Sequence, residues 1–136
     1  LLLTTIFFST DTLAKRMPPS MIVKRTLEQM FAMCETNEGS NLAEYIVYRG
    51  KDKERKWKDH CRVENEDELS FVQHVRNEIK MDIIPFEYKF VKFTTETESE
   101  GTWYIWELEV MVKDKAEKIY FAFLKVNGRY VLGDID

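Results

Sequence analysis

The last third of this 136-residue chain carries three segments in which apolar and polar residues alternate, which is the period of half-buried β-strands. The segments span residues 103–112, 119–126 and 129–135. Asn127-Gly128, between the last two, tolerates the positive φ angles of a two-residue type I′ turn and predicts a β-hairpin. Residues at equal distances from such a turn pair directly, so Phe123 is expected opposite Leu132. By the same count, Phe121 is expected opposite Asp134.

A second turn at Asp114-Lys115 would join the first two of these strands. The cross-strand pairs that this turn predicts are Trp106–Phe123, Leu108–Phe121 and Val110–Ile119. One apolar face then runs across all three strands, although the two turns are placed independently. Such a face defines the inside of a curved antiparallel sheet.

The first half of the chain has the 3.6-residue period of helices. Three helices are expected, over residues 21–35, 41–49 and 66 to about 80. Ser20 and Ser40 are suitable N-caps for the first two, and Asn65 followed by Glu68 resembles a capping box for the third. The faces expected in the core are Val23, Leu27, Met30, Phe31 and Cys34 in the first helix, and Leu69, Val72, Val75 and Ile79 in the third.

From residue 83 the period changes from 3.6 to 2, which predicts a long first strand containing Phe86, Tyr88 and Phe90. A polar, acidic hairpin loop is expected over residues 94–101. Helices that precede an antiparallel sheet indicate an α+β fold with the helices on one face. The predicted architecture is therefore three N-terminal helices packed on a curved four-stranded antiparallel sheet.

The composition excludes several kinds of site. Lys and Arg number 20 and Asp and Glu 24, a net charge of −4, whereas general nucleic-acid binding needs a basic field. The five glycines form no phosphate-binding loop, and His60, Cys61 and His74 lack the spacing of a zinc site. We therefore predict no nucleic-acid partner, no cofactor and no metal ion.

Residues 1–14 predict a truncated secretory signal peptide followed by a single domain over residues 15–136. Residues 1–8 form an uncharged apolar run, and Thr12 and Ala14 suit the small-residue positions of a signal-peptidase site. The run is too short to span a bilayer. The alternative is an N-terminal strand or helix that packs on the domain. A signal peptide would place the protein in the periplasm or outside the cell.

The two cysteines, Cys34 and Cys61, admit two interpretations. In an exported protein they can form one disulfide between the end of the first helix and the segment before the third. Such a bridge would add roughly 3–4 kcal/mol of stability. The alternative is a pair of buried free thiols.

The outward positions of the predicted strands are mixed. Glu107 and Glu109 are polar. The apolar outward residues are Trp103, Tyr120, Leu124, Val131 and Ile135. Because exposed apolar patches mark partner surfaces, we expect a homodimer formed through the sheet face. The charged residues 51–58 indicate a solvated face, or alternatively a patch for an anion or acidic partner anchored by Trp57.

Three N-terminal helices, a long bent strand and a closing meander resemble the nuclear transport factor 2-like superfamily, whose members share a cystatin-like α+β cone. Residues 121–136, FAFLKVNGRYVLGDID, look like the usual end of that fold: a strand, a Gly turn, an aromatic residue and a short strand with an acidic end. Tyr130 takes the position at which many members carry Trp. The resemblance covers residues 20–136 and is closest to small exported bacterial members of unknown function.

The resemblance implies a pocket between the helices and the concave sheet. The candidate ligand-binding residues are Tyr88, Tyr104, Trp106, Phe123, Tyr130 and Asp134. By the register above, Asp134 shares the inward face with Leu132, where an apolar setting raises a carboxyl pKa and permits general acid or base catalysis. The ketosteroid-isomerase-like members use inward acids in this manner. For the aromatic residues the alternative is core packing, and for Asp134 it is a frayed strand end.

Three functions follow from these expectations. The first is a non-enzymatic exported domain that binds a small apolar ligand or dimerises. The second is an isomerase or dehydratase with Asp134 as base and a Tyr as hydrogen-bond donor. The third is a protein-interaction module that acts through the sheet face or through residues 51–58.

Overall fold

The computed structural model describes residues 17–36 and 39–136, except the side chains of residues 39 and 40. The predicted signal peptide, residues 1–14, lies outside the described residues. Over the described residues the fold is α+β, with two long helices and one open sheet of four antiparallel strands. The elements are α1 Pro19–Glu35, α2 Glu66–Asp82, β1 Glu87–Glu98, β2 Gly101–Val112, β3 Lys115–Val126 and β4 Arg129–Ile135.

Helix α1 begins two residues earlier than predicted. Pro18 rather than Ser20 takes the N-cap position, and Pro19 opens the first turn, where its missing N–H would have no intrahelical partner. The predicted apolar face is confirmed as buried: Val23, Leu27, Met30, Phe31 and Cys34. This face attaches α1 to α2 and to the inner face of the sheet.

Of the two residues predicted to cap helix α2, Asn65 does so and Glu68 does not. Asn65 Oδ1 accepts hydrogen bonds from the backbone N–H groups of Asp67, at 3.0 Å, and Glu68, at 3.2 Å. The Asn65 N–H, however, donates to the Arg62 carbonyl, so Glu68 does not complete a capping box. Glu68 is instead buried, and Leu69 is only half-buried. The rest of the predicted stripe, Val72, Val75 and Ile79, is buried as expected.

The predicted second helix, over residues 41–49, is wrong for most of its length. The chain forms one α-helical turn, Gly39–Leu42, and one 3-10 turn, Ala43–Tyr45. It then extends beside β4, where the Val47 N–H donates to the Leu132 carbonyl at 2.9 Å and the Ile46 carbonyl accepts from Cys61 at 2.8 Å. These bonds satisfy backbone groups at the edge of the sheet, so pairing outweighs the helical pattern of residues 42–46.

Up to Leu132 the two C-terminal hairpins keep the predicted faces, but only one of them keeps its turn. Asn127 and Gly128 have φ of 50° and 79°, and Phe123 pairs with Leu132, both as predicted. The other turn lies at Lys113-Asp114 rather than one residue later. The resulting pairs are Tyr104–Phe123, Trp106–Phe121 and Leu108–Ile119. Moving the turn by one residue changes each partner by two, so every side chain stays on its predicted face.

A bulge in β4 overturns the predicted position of Asp134. Phe123 pairs with Leu132, but Ala122 pairs with Asp134, so Gly133 is an extra residue. A Cβ atom at Gly133 would overlap the six-membered ring of Trp103, which lies against the bulge. The predicted pairing of Phe121 with Asp134 is therefore wrong. Asp134 faces outward, beside Ala122.

A second bulge bends β1. Phe90 pairs with Leu108 and Lys92 with Glu107, which leaves Val91 as the extra residue. The change of parity turns both Phe90 and Phe93 toward the helices. The strand continues to Glu98, so most of the predicted loop over residues 94–101 is strand rather than loop.

The sheet is covered on both faces. The inner face and the two helices share the larger core, which includes the fully buried rings of Phe121 and Phe123. On the outer face a smaller cluster contains Val47, Trp103, Leu124, Val126 and Val131, with Trp57 packed against it. Much of the predicted exposed apolar face is thus buried by the chain itself.

Candidate functional site

Five of the six predicted ligand-binding residues lie together on the inner face of the sheet. The ring centroids of Tyr104 and Tyr130 are 5.0 Å apart, Phe123 is fully buried, and Trp106 Nε1 donates to the Ser20 carbonyl at 2.9 Å. Tyr88 packs edge-on against Phe31 of α1 at 5.3 Å. For the other four residues these contacts are those of core packing, which was the alternative explanation for the aromatic residues, whereas Tyr88 is 38% exposed.

Asp134 is not among them. Its side chain is 54% exposed on the outer face, with Oδ1 3.7 Å from Arg49 Nη1. The carboxyl thus lies in solvent beside a guanidinium and not in the apolar inner face that the predicted general base requires. The geometry required for Asp134 as an inward general base is therefore contradicted.

The two cysteines are free thiols. Cys34 lies in α1 and Cys61 pairs through its backbone with Ile46, and both side chains are buried. Burial raises the pKa of Cys34 to about 11 and that of Cys61 to about 12, so both stay protonated near neutral pH. The structure has the free-thiol alternative and not the disulfide.

The outer face of the sheet contains a concave region of about 470 Å³, which we call the acidic groove. Its lining is Glu96, Glu98, Glu100, Trp103, Ile105, Tyr120, Ala122, Asp134 and Asp136. Five of these nine residues are acidic and none is basic. The groove lies beside the region that Trp57 covers, at the part of the outer face that stays accessible.

The strand register explains this arrangement of charges. Rows of outward residues cross the sheet: Thr94, Ile105, Ala122 and Asp134 in one row, and Lys92, Glu107, Tyr120 and Asp136 in the next. The central strands β2 and β3 therefore supply an apolar floor. The acids come from the outer strands β1 and β4 and from the turn between β1 and β2, so they form two opposite rims.

Two groups in the lining are held in place by hydrogen bonds. Glu100 accepts from Trp103 Nε1 at 2.7 Å and from the Ser99 hydroxyl at 3.0 Å, and these bonds lower the pKa of Glu100. A hydrogen bond to Glu107 raises the pKa of Tyr120, so the Tyr120 phenol stays neutral. The groove thus presents a fixed indole and a neutral phenol between carboxylates.

No family model, curated protein or solved structure matches this chain. The site is therefore interpreted from its own chemistry. Within residues 17–36 and 39–136, no group of three or more His, Cys, Asp or Glu is arranged to hold a metal ion. In the same part of the chain, the helices are too short or too polar to cross a membrane.

Residues 48–59, which we call the arm, pack against the outer face beside the groove. The rings of Trp57 and Trp103 meet edge-on at 5.6 Å, so Trp57 anchors the arm to the outer face. The Arg49 guanidinium lies 5.1 Å from the Trp57 ring and donates to the Gly133 carbonyl at 3.1 Å. Trp57 is thus the apolar anchor of the charged run, but it anchors the run to the outer face of its own sheet and not to a partner.

The other side of the arm is fixed to α2 by the half-buried guanidinium of Arg55. Arg55 donates to both Glu68 carboxylate oxygens, at 2.7 and 3.1 Å, and to Asp59 at 2.7 Å. Its guanidinium also stacks 4.1 Å from the Tyr48 ring. Hydrogen bonds from Arg55 are the main cause that lowers the pKa of Glu68. At Asp59, burial raises the pKa, but hydrogen bonds from Arg55 and the His60 N–H outweigh it.

A cleft of about 720 Å³ lies between the arm and the start of α2. Its lining mixes Arg49, Lys51 and Arg55 with Asp52, Asp67 and Glu68. Because Arg55 and Glu68 already satisfy each other, this cleft offers no excess of either charge. The acidic groove, with its single sign of charge, is the better candidate site.

Sequence reasoning missed the groove for two physical reasons. Glu96 and Glu98 were assigned to a loop, whereas they are outward residues of a strand. Asp134 was assigned to the wrong face because a bulge cannot be read from alternation alone. The acidic composition of residues 96–100 was the available signal.

Proposed function

We propose that this chain is a non-enzymatic docking domain whose acidic groove binds a Lys- or Arg-bearing segment of a partner protein. One observation carries the proposal: the accessible part of the outer sheet face has five acids around an apolar floor, and its lining contains no basic residue among those that the structure describes. Electrostatic complementarity of this kind steers partners and selects among them.

The rims supply the charge part of the recognition. Glu96 and Glu98 on β1 face Asp134 and Asp136 near β4, across the width of β2 and β3. A cationic side chain that enters between them is attracted from both sides. Because these carboxylates are exposed, each contact contributes little, roughly 0.2–1 kcal/mol, and affinity depends on several of them together.

The floor supplies the apolar part. Long Lys and Arg side chains bury their methylene stems while the charged ends stay near water. The half-buried Ile105 and Ala122 offer a surface for such stems, and the exposed ring of Tyr120 can accept a cation. A segment that alternates basic and apolar residues would use both parts of the site.

The face-to-face homodimer predicted from the sequence fits this surface less well. Stacking two copies would bring the acidic rims of both grooves into one interface, and facing like charges are destabilising. The predicted small apolar ligand would have to enter an inner face occupied by packed aromatic rings, among them Phe90 and Trp106 at 5.2 Å. The accessible outer face therefore favours a cationic partner over either occupant.

We also propose a distant relationship to the nuclear transport factor 2-like superfamily and its cone. Two long helices before an antiparallel meander, and a bulge that bends β1, support the proposal. Export through the N-terminal segment stays a prediction. A shared fold would not by itself identify the function, which depends on the residues of the site.

Affinity for a fluorescent peptide that alternates Lys and Val tests the proposed function. The test variant carries Glu96→Gln, Glu98→Gln, Asp134→Asn and Asp136→Asn, which neutralise both rims. We expect binding of the peptide to weaken about tenfold or more, because several charge pairs of roughly 0.5 kcal/mol are lost. Added salt should weaken binding to the original protein more than binding to the variant.

A matched control neutralises four exposed acids outside the groove: Glu64→Gln, Asp82→Asn, Asp114→Asn and Glu117→Gln. It has the same net charge as the test variant, so it separates the groove from the overall field. Equal affinities of the two variants for the peptide would contradict the proposal. Tight binding of a Glu–Val peptide of the same length would also contradict it.

A further inference from the structure

Strand β1 forms one edge of the sheet. Within the residues that the structure describes, its hydrogen-bonded neighbour is β2 alone, and the strand is 12 residues long. A long edge strand presents a row of backbone N–H and C=O groups that another strand can pair with. The bulge at Val91 and the charge of Lys89 blunt the first half of the edge, whereas the second half is regular.

The regular half carries both signs of charge on one face. Lys92, Glu96 and Glu98 project outward, since their partners on β2 are outward residues. Lys92 and Glu98 are exposed, and neither is ion-paired within the described residues. Their separation along the strand allows them to meet when two copies of this edge run antiparallel.

We infer that two copies of the chain pair antiparallel along β1, with Thr95 on the two-fold axis. Lys92 of each copy then lies opposite Glu98 of the other, and Phe93 lies opposite Thr97. The ladder covers residues 92–98, which is all of β1 beyond the bulge. The two sheets become one continuous sheet of eight strands.

The register follows from parity and charge. Directly opposed residues share a face, so Thr95 can oppose itself, but it cannot oppose Thr94, which faces outward. An axis at Glu96 would set that carboxylate against itself. An axis at Thr94 would pair Lys92 with Glu96, but its ladder would reach the bulge at Val91 after five residues.

This edge dimer leaves the acidic grooves open. The groove lies on the outer face, whereas the new hydrogen bonds lie in the plane of the sheet. Glu96 of each copy approaches its equivalent diagonally, and Lys92 of the other copy flanks it on the opposite diagonal. The inference does not rest on the proposed function, although Glu96 and Glu98 belong both to the rim of the groove and to the edge interface.

A charge exchange tests the interface, with the mass of the native protein measured across a concentration series. The variants are Lys92→Glu, Glu98→Lys and the combination of both. We expect the original chain to dimerise and each single variant to raise the dimer Kd about fivefold or more, because attraction becomes repulsion at both symmetric pairs. The combined variant should return to the original Kd, since the pairs are restored with their signs exchanged.

Circular dichroism of each variant shows that the monomer fold is intact, which separates loss of pairing from loss of folding. A monomeric original chain over the whole concentration series would overturn the inference. So would single variants that dimerise as well as the original chain, or a combined variant that dimerises no better than the single ones. The variant with four neutralised groove residues lacks Glu98, which is the acid of each Lys92–Glu98 pair, and it should lose dimer affinity. The variant with only Asp134→Asn and Asp136→Asn keeps both pairs and should keep its dimer affinity. A change of dimer affinity in that two-site variant would overturn the edge pairing, and a gain would indicate face-to-face stacking, because the variant removes the repulsion between opposed rims.

Discussion

Replacing Glu68 by Gln tests how the arm is held to α2. Glu68 accepts two hydrogen bonds from Arg55 and a third from the Arg62 N–H at 3.0 Å, and its side chain is 7% exposed. Glutamine has nearly the same size but no charge. One of its ends is an NH₂ group, which cannot accept from the guanidinium. Arg55 would then be left with Asp59 as its only carboxylate partner.

The expected cost comes from the contacts that are lost. Hydrogen bonds to charged groups contribute about 1.5–3 kcal/mol each, and Gln retains one acceptor of the two. The Arg55 side chain is 21% exposed, so water replaces only part of the lost contact. We expect the free energy of unfolding to fall by roughly 2–3 kcal/mol, a large part of the total of about 5–15 kcal/mol typical for a domain.

Urea denaturation measures this loss, with Glu66→Gln as the matched control. Glu66 lies in the same first turn of α2 but is exposed, so both variants lose the same attraction to the helix N-terminus. The control should lose less than about 1 kcal/mol. The dependence on urea should keep its slope. Equal losses in the two variants would refute the reasoning, because the network would then contribute nothing beyond the helix charge.

Three further predictions follow from the same structure. The pKa of Glu68 is held below its ordinary value of 4.5, so the unfolded chain binds more protons in acid than the folded chain does. Stability should therefore fall as the pH drops from about 4.5 through the lower folded pKa. In acid denaturation curves, the Glu68→Gln variant should lose less stability over this range. Gly133→Ala should destabilise the fold by about 1–3 kcal/mol, because the added methyl overlaps the Trp103 ring. Trp103→Leu should cost less stability in the Gly133→Ala chain than in the original chain, and additive losses in urea curves would contradict this. Cys34 and Cys61 should resist alkylation in the native protein at mildly alkaline pH and react fully in denaturant, since burial raises both pKa values; rapid labelling of the native protein, counted by mass, would contradict this.

The parts of the fold that sequence could predict are those set by local pattern. Asn127-Gly128 determined its hairpin because few other residues accept two positive φ angles in a row. Alternation placed Trp106, Phe123 and Leu132 on the helix-covered face, and the structure confirms all three. The turn at Lys113-Asp114 was predicted one residue too late. Such a shift moves every cross-strand partner by two residues and leaves the faces unchanged, so alternation cannot detect it.

The parts that it could not predict depend on contacts between distant residues. The bulge at Gly133 is coupled to the Trp103 ring, thirty positions earlier in the chain, so alternation within β4 carries no sign of it. Ile46 and Val47 fit an apolar helix face and an edge strand equally well, and only pairing with Leu132 decides between them. The candidate site depends on the first of these contacts, because the bulge decides the face on which Asp134 lies. It lies on the outer face, with Asp134 in its rim.

Amide chemical shifts of the ¹⁵N-labelled protein, titrated with the Lys–Val peptide, test the central claim most directly. Binding in the acidic groove predicts shift changes at Ile105, Tyr120 and Ala122 of the floor that saturate with one affinity. Changes confined to inner-face residues such as Tyr104 and Tyr130, or no changes at saturating peptide, would contradict the account.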